Sequence, residues 1–196
     1  MKPRFILVLL ILALFTFSVQ AETYHFGTSP KGTNISFSSE TILESILGSV
    51  NTCSGDASIN GDSGSVNISI PVDQMRTGIE VRDHHMLEDM WLDGKNFPTI
   101  SFVSKHAKKL SDGKWEVTGD FTMHGVSKSK TVVVETNPIP DDKASMFGTG
   151  KWMRFKTEFS VKLADYDIKI ESVAEGKVNE EWKIKVMLFG GTAEPK

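Results

Sequence analysis

An apolar residue at every second position, in segment after segment, constrains this chain more than any other feature. Val66, Ile68, Ile70 and Val72 alternate with Ser65, Asn67 and Ser69. Ile100 and Phe102 alternate with Thr99 and Ser101, and Trp115, Val117, Gly119, Phe121 and Met123 with Glu116, Thr118, Asp120 and Thr122. Near the C-terminus Met153, Phe155, Thr157, Phe159 and Val161 oppose Arg154, Lys156, Glu158 and Ser160, while Trp182, Ile184, Val186 and Leu188 oppose Lys183 and Lys185. A period of two with one apolar and one wet face specifies antiparallel β-strands.

The breaks between these runs specify how the strands connect. Asn60-Gly61-Asp62-Ser63-Gly64, Ser111-Asp112-Gly113-Lys114 and Glu175-Gly176-Lys177 supply residues that tolerate positive φ, so each reads as a hairpin turn in a meander. Asn137-Pro138-Ile139-Pro140-Asp141-Asp142 reads as a longer surface loop that breaks pairing. Thr41 to Leu47 allows a short helical turn. Val81 to Leu92, with Met86 and Met90 one turn apart, reads as a short helix. About eight amphipathic strands in one domain pack as two sheets or close on themselves, and closure removes exposed edges. The expectation is an all-β, antiparallel eight-stranded barrel with one or two short helices.

The first residues place the domain start. Lys2 and Arg4 precede a charge-free apolar run from Phe5 to Phe17, and Val19-Gln20-Ala21 has the small residues a signal peptidase requires. The run is too short to span a bilayer, so residues 1–21 read as a cleaved signal peptide rather than a stable membrane anchor, with residues 22–196 as one exported, periplasmic domain. The 175 of 196 residues that remain suffice for a core without staples. Cys53 is the only cysteine, which excludes an intrachain disulfide; it reads as a small half-buried hydrophobe. Cleavage leaves 20 basic residues against 25 acidic, interspersed along the chain, which argues against nucleic acid as a partner. A homodimer stays open on these grounds.

Three ordered motifs carry more. Thr77-Gly78 leads to Arg82-Asp83-His84-His85-Met86; Asn96-Phe97-Pro98-Thr99-Ile100-Ser101-Phe102 follows; then Gly119-Asp120-Phe121-Thr122-Met123-His124-Gly125-Val126-Ser127-Lys128. In this order and spacing they resemble the YceI-like family of bacterial periplasmic polyisoprenoid-binding proteins, most firmly from Ser65 to Glu135. Met86 and Phe97 stand for the family's usual Leu and Tyr, Met90-Trp91 for paired phenylalanines, and Leu163-Ala164-Asp165-Tyr166-Asp167 for an R-x-D-F-G pattern. The resemblance implies a lipocalin-like barrel whose interior accepts a long isoprenoid or fatty chain.

Periodicity identifies the inner face but not whether the inside is empty. The inward set of Ile100, Phe102, Trp115, Val117, Phe121, Met123, Phe155, Phe159 and Trp182 makes either a solid core or the wall of a ligand site. The resemblance implies the wall. Gly119, amid that face, fits close approach of a ligand or a bend of the barrel. Arg82, Asp83 and His85 are candidates for the polar end of a ligand at the mouth, or Arg82 and Asp83 for a charge pair pinning the helix to the rim. His84 and His85 are adjacent and no metal-ligand spacing appears. No nucleophile elbow or activated cysteine completes a catalytic set. The expected function is therefore a non-enzymatic carrier of an isoprenoid-like or fatty amphiphile, without cofactor or metal; a filled-barrel stress-response or interaction module is the alternative.

Overall fold

The computed structural model describes residues 21–27 and 33–194; the proposed signal peptide, apart from Ala21, lies outside the described residues. Among the described residues ten strands form one antiparallel sheet: β1 (Glu22–Phe26), β2 (Asn34–Glu40), β3 (Ser45–Val50), β4 (Ser54–Asn60), β5 (Ser63–Pro71), β6 (Thr99–Ser111), β7 (Lys114–Met123), β8 (Val126–Pro138), β9 (Trp152–Lys162) and β10 (Glu181–Gly191). The helices are short, α1 (Glu80–His85) and α2 (Asp141–Ala144).

Ladder registers reduce these ten segments to a closed barrel of eight strands. Along β10, Lys183 to Met187 pair with Ser38 to Asn34 of β2, and Gly191 pairs with His25 of β1. β1 and β2 thus lie along one edge as a single interrupted strand. β4 pairs β1 and β3 pairs β2, so β3 and β4 form the second, kinked where Asn51 to Cys53 intervene. From there the meander runs β5-β6-β7-β8-β9-β10 and returns to the first strand. Cys53 is buried at the kink, and burial pushes its thiol pKa up, as a structural rather than reactive cysteine requires.

Directly opposed residues share a face, so one inward strand dictates its neighbours. Ile68 opposes Phe102, which opposes Phe121. Phe159 opposes Ile184, which opposes Phe37. The outward positions of the same strands carry Lys183, Lys185, Glu158 and Lys156. Apolar inside and charged outside is the reverse of a membrane-spanning barrel, and no helix among the described residues is long and apolar enough to cross a membrane.

Several connections differ from expectation for identifiable reasons. Thr41 to Glu44 is a tight turn, not a helical one: Thr41 Oγ accepts from the Leu43 and Glu44 amides at 3.2 and 3.0 Å, and β3 begins at Ser45. The helix expected over Val81–Leu92 stops at His85 and continues as irregular turns. Met86, Trp91 and Leu92 all reach the barrel interior, and no single face of a straight helix presents that spacing. β8 runs on through Asn137 and Pro138, paired to Arg154 and Met153; its pairing with β7 ends at Glu135, so Pro138 stands at a local edge, where a missing N–H breaks no ladder bond. Pro140 then precedes α2, whose first turn carries Asp141 and Asp142. Glu175-Gly176-Lys177 lies within the long connection from Leu163 to Glu180 rather than closing a tight hairpin. Two other turns follow expectation. Gly61-Asp62 and Asp112-Gly113 close β4–β5 and β6–β7, and His124-Gly125, with φ of 50° and 74°, closes β7–β8 in the left-handed region its strand twist demands.

Candidate ligand-binding cavity

The inward faces do not meet at the barrel axis. They enclose an apolar cavity of about 220 Å³. An apolar cavity of about 150 Å³ stays dry and takes up benzene, so this one admits a hydrocarbon group of that size and more. Ile100, Phe102, Trp115, Val117, Phe121, Met123, Phe155, Phe159 and Trp182 all stand on its wall. Aromatic edges fix much of that wall. Phe121 meets Phe159 at 5.7 Å and Tyr166 at 5.5 Å, both edge to face, and Phe155 meets Tyr24 and Phe26 in the same way. Phe37 tilts against Trp182 at 5.7 Å. At the far end Ala107, Trp115, Val117 and Val132 pack as a separate cluster.

Gly119 is buried but not on the wall. A Cβ there would lie 2.4 Å from the Val103 carbonyl oxygen and 2.8 Å from Phe102 Cζ, so its lack of side chain admits β6. The pairing of β6 with β7 shifts between Ser104 and His106. This bulge changes the phase of β6, putting Ile100, Phe102 and then Ala107 inside. Ser104 Oγ accepts from the Val66 amide at 2.8 Å, satisfying a donor beside the irregular register. Of the two meanings the sequence allows for Gly119, the bend is the one its surroundings display.

Arg82, Asp83 and His85 occupy α1 at the cavity's capped end, and the first two are engaged by the protein. Asp83 Oδ1 accepts from the Thr77 amide at 2.6 Å and from Thr77 Oγ at 2.5 Å. Arg82 donates from Nε to Thr77 Oγ at 3.0 Å and from a terminal nitrogen to Glu44 Oε1 at 2.7 Å. Instead of pairing with Asp83, Arg82 ties α1 to the β2–β3 turn, and Asp83 closes the loop that precedes α1. His85 is exposed. The second and third motifs also meet: Phe97 packs edge-on against the His124 ring at 5.0 Å, and a Cβ at Gly125 would lie 2.4 Å from its ring. Pro98 accepts from the Val72 amide at 2.9 Å. His124 Nδ1 lies 3.0 Å from the Tyr166 carbonyl, which joins the β7–β8 turn to the β9–β10 connection. The three motifs thus fasten one end of the barrel. Asp167, where the resembled pattern has glycine, adopts φ 58°, the left-handed conformation that glycine prefers and aspartate tolerates.

Several wall residues were not singled out from sequence. Phe26, Ile35, Phe37 and Val50 line the cavity from the first two strands, Met75, Met86, Trp91 and Leu92 from its cap, and Lys130, Val132 and Val134 from β8. Asn34-Ile35-Ser36-Phe37-Ser38 carries a short alternation that could have shown the first group. The cap residues follow no period, and Val132-Val133-Val134 hides its phase.

A closed antiparallel meander, charged outside and hollow and apolar inside, defines a lipocalin-like barrel. A YceI-like domain matches residues 26–188, and the chain belongs to that family. It is 28% identical over 163 residues to a UPF0312 protein of Vibrio vulnificus, covering 79% of this chain and 82% of the relative. Among solved structures, BcnA of Burkholderia cenocepacia superposes with a TM-score of 0.68 at 20% identity, covering 80% of this chain and 95% of the other. A polyisoprenoid-binding domain from Saccharophagus degradans superposes with a TM-score of 0.62 at 16% identity, covering 88% and 99%.

Proposed function

We propose that this protein is a carrier that holds the hydrocarbon chain of an isoprenoid-like or fatty amphiphile inside its barrel and performs no catalysis. The observation that carries the reading is the apolar cavity of about 220 Å³ within an otherwise well-packed domain. A void of that size forgoes packing that a solid core would gain, at a cost that grows with its volume. Occupation by an apolar chain restores those contacts, at about 0.8 kcal/mol for each methylene removed from water. A filled-barrel module would need side chains in that space. Membership of the YceI-like family and the likeness to a polyisoprenoid-binding domain support the same reading. Lys2, Arg4, the apolar run and Ala21 support export to the periplasm with β1 starting at the first residue after cleavage, Glu22.

Organic-solvent extraction of the protein purified from its own cells, followed by mass spectrometry, tests the reading. A stoichiometric polyprenyl or long-chain acyl species is expected. Extracts of repeated preparations containing no chain lipid above background, from protein that also takes none up when offered, would overturn it.

A further inference from the structure

Among the described residues the barrel wall parts between β8 and β9. β8 and β9 are laddered over four pairs, Glu135 with Lys156 through Pro138 with Met153. The remainder of β8, from Val126 to Val134, and of β9, from Thr157 to Lys162, have no ladder between them. On their other sides the parting segments are fully paired, β8 with β7 over ten positions, Val126 to Glu135, and β9 with β10 over eleven. The seam is therefore a gap between two held edges, not a frayed end. Side chains cross it instead of backbone. Thr157 Oγ donates to the Val133 carbonyl at 2.8 Å, and Lys130 Nζ to the Ser160 carbonyl at 2.7 Å. The Lys130 ammonium lies 5.5 Å from the centroid of the Phe159 ring.

Lys130 shares the phase of Val132 and Val134 and stands with them on the cavity wall, half-buried. No carboxylate among the described residues pairs with it; Glu158, two residues from Ser160, faces Lys185 instead at 3.8 Å. In the seam of a half-buried wall an ammonium is costly unless matched, and a neutral carbonyl matches it only in part. The partner it lacks is an anionic oxygen, whose bond to an ammonium is roughly twice as strong as a neutral one.

We propose that the seam between β8 and β9 is the polar end of the binding site, where Lys130 holds the anionic head, carboxylate or phosphate, of a ligand whose chain lies in the cavity. The proposal rests on the carrier reading, and puts the head on the barrel's flank, away from Arg82 and Asp83, whose polar atoms are already engaged.

Titration calorimetry of the delipidated protein with farnesyl phosphate against farnesol, and laurate against dodecanol, separates head from chain. Wild type should bind the anion of each pair about tenfold or more tighter, the scale of a charge-assisted bond. Lys130→Met should erase that preference while leaving farnesol and dodecanol within about threefold of wild type, Lys130→Arg should keep it, and Lys183→Met on the outer face should change nothing. A preference confined to one pair says whether phosphate or carboxylate fits the seam. Equal affinity of wild type for anion and alcohol in both pairs, or a preference that survives in Lys130→Met, overturns the proposal and leaves the carrier reading standing. Binding of none of the four ligands overturns both.

Discussion

Replacing Val117 by arginine is expected to abolish uptake of an apolar chain. Val117 is 4% exposed, stands on the cavity wall, and packs with Ala107, Trp115 and Val132 where the barrel is closed by its own side chains. A guanidinium there meets no acceptor on β7's inward face and carries its hydration into the space a chain must occupy. The desolvation penalty of several kcal/mol falls within the roughly 5–15 kcal/mol that holds a domain together, so the barrel should survive, weakened. Because lost uptake could also report unfolding, Val117→Phe supplies the control. Val117 borders the cavity as well as that cluster, so the added ring is expected to turn into the cavity, leaving the melting temperature close to wild type while affinity for dodecanol falls at least tenfold. Folded variants by far-UV dichroism that both bind dodecanol as wild type does would place the chain outside this cavity.

The second large effect is expected at Tyr166, which is 2% exposed and off the cavity wall. Its ring meets the Phe121 edge at 82°, and its carbonyl faces His124. It thus packs against a wall residue and ties the connection after β9 to the β7–β8 turn. Truncation to alanine should cost about 3–5 kcal/mol, the range for a large buried aromatic. For a domain of this size that is a fall in melting temperature on the order of 10 °C. Tyr166→Phe keeps the ring and should stay close to wild type. Thermal unfolding followed by circular dichroism decides; a loss below about 1 kcal/mol for the alanine variant would mean that the connection packs only loosely on the barrel.

The barrel was legible because its strands carry their phase in sequence. On β5, β7 and β10 the apolar alternation identifies the inward residues, and the register then aligns Ile68, Phe102 and Phe121 across three strands. Where local chemistry breaks the period, reading stops. The bulge at Ser104 shifts β6 from even to odd inward positions, and Gly119 is understood only once the Val103 carbonyl lies against it. Three consecutive valines conceal that Lys130 shares the inward phase of Val132 and Val134, and nothing local reveals that β8 and β9 part there. Arg82 and Asp83 illustrate the opposite limit. Their motif was visible, but its partners, Glu44 and Thr77, are set by the fold, so a cluster suited to a ligand head proves to fasten a helix. The missing information is tertiary in each case.

The central claim is that the barrel interior receives a hydrocarbon chain, and affinity as a function of chain length measures this most directly. In a titration series of primary alcohols from hexanol to tetradecanol, each methylene removed from water contributes about 0.8 kcal/mol. Affinity should therefore rise about tenfold for every two methylenes added, then level off when the chain outgrows the cavity. Phe121 and Val117, deep on the wall, predict that Val117→Phe reaches its plateau at a shorter chain. An affinity that does not change with chain length, or no binding across the series, would contradict the account.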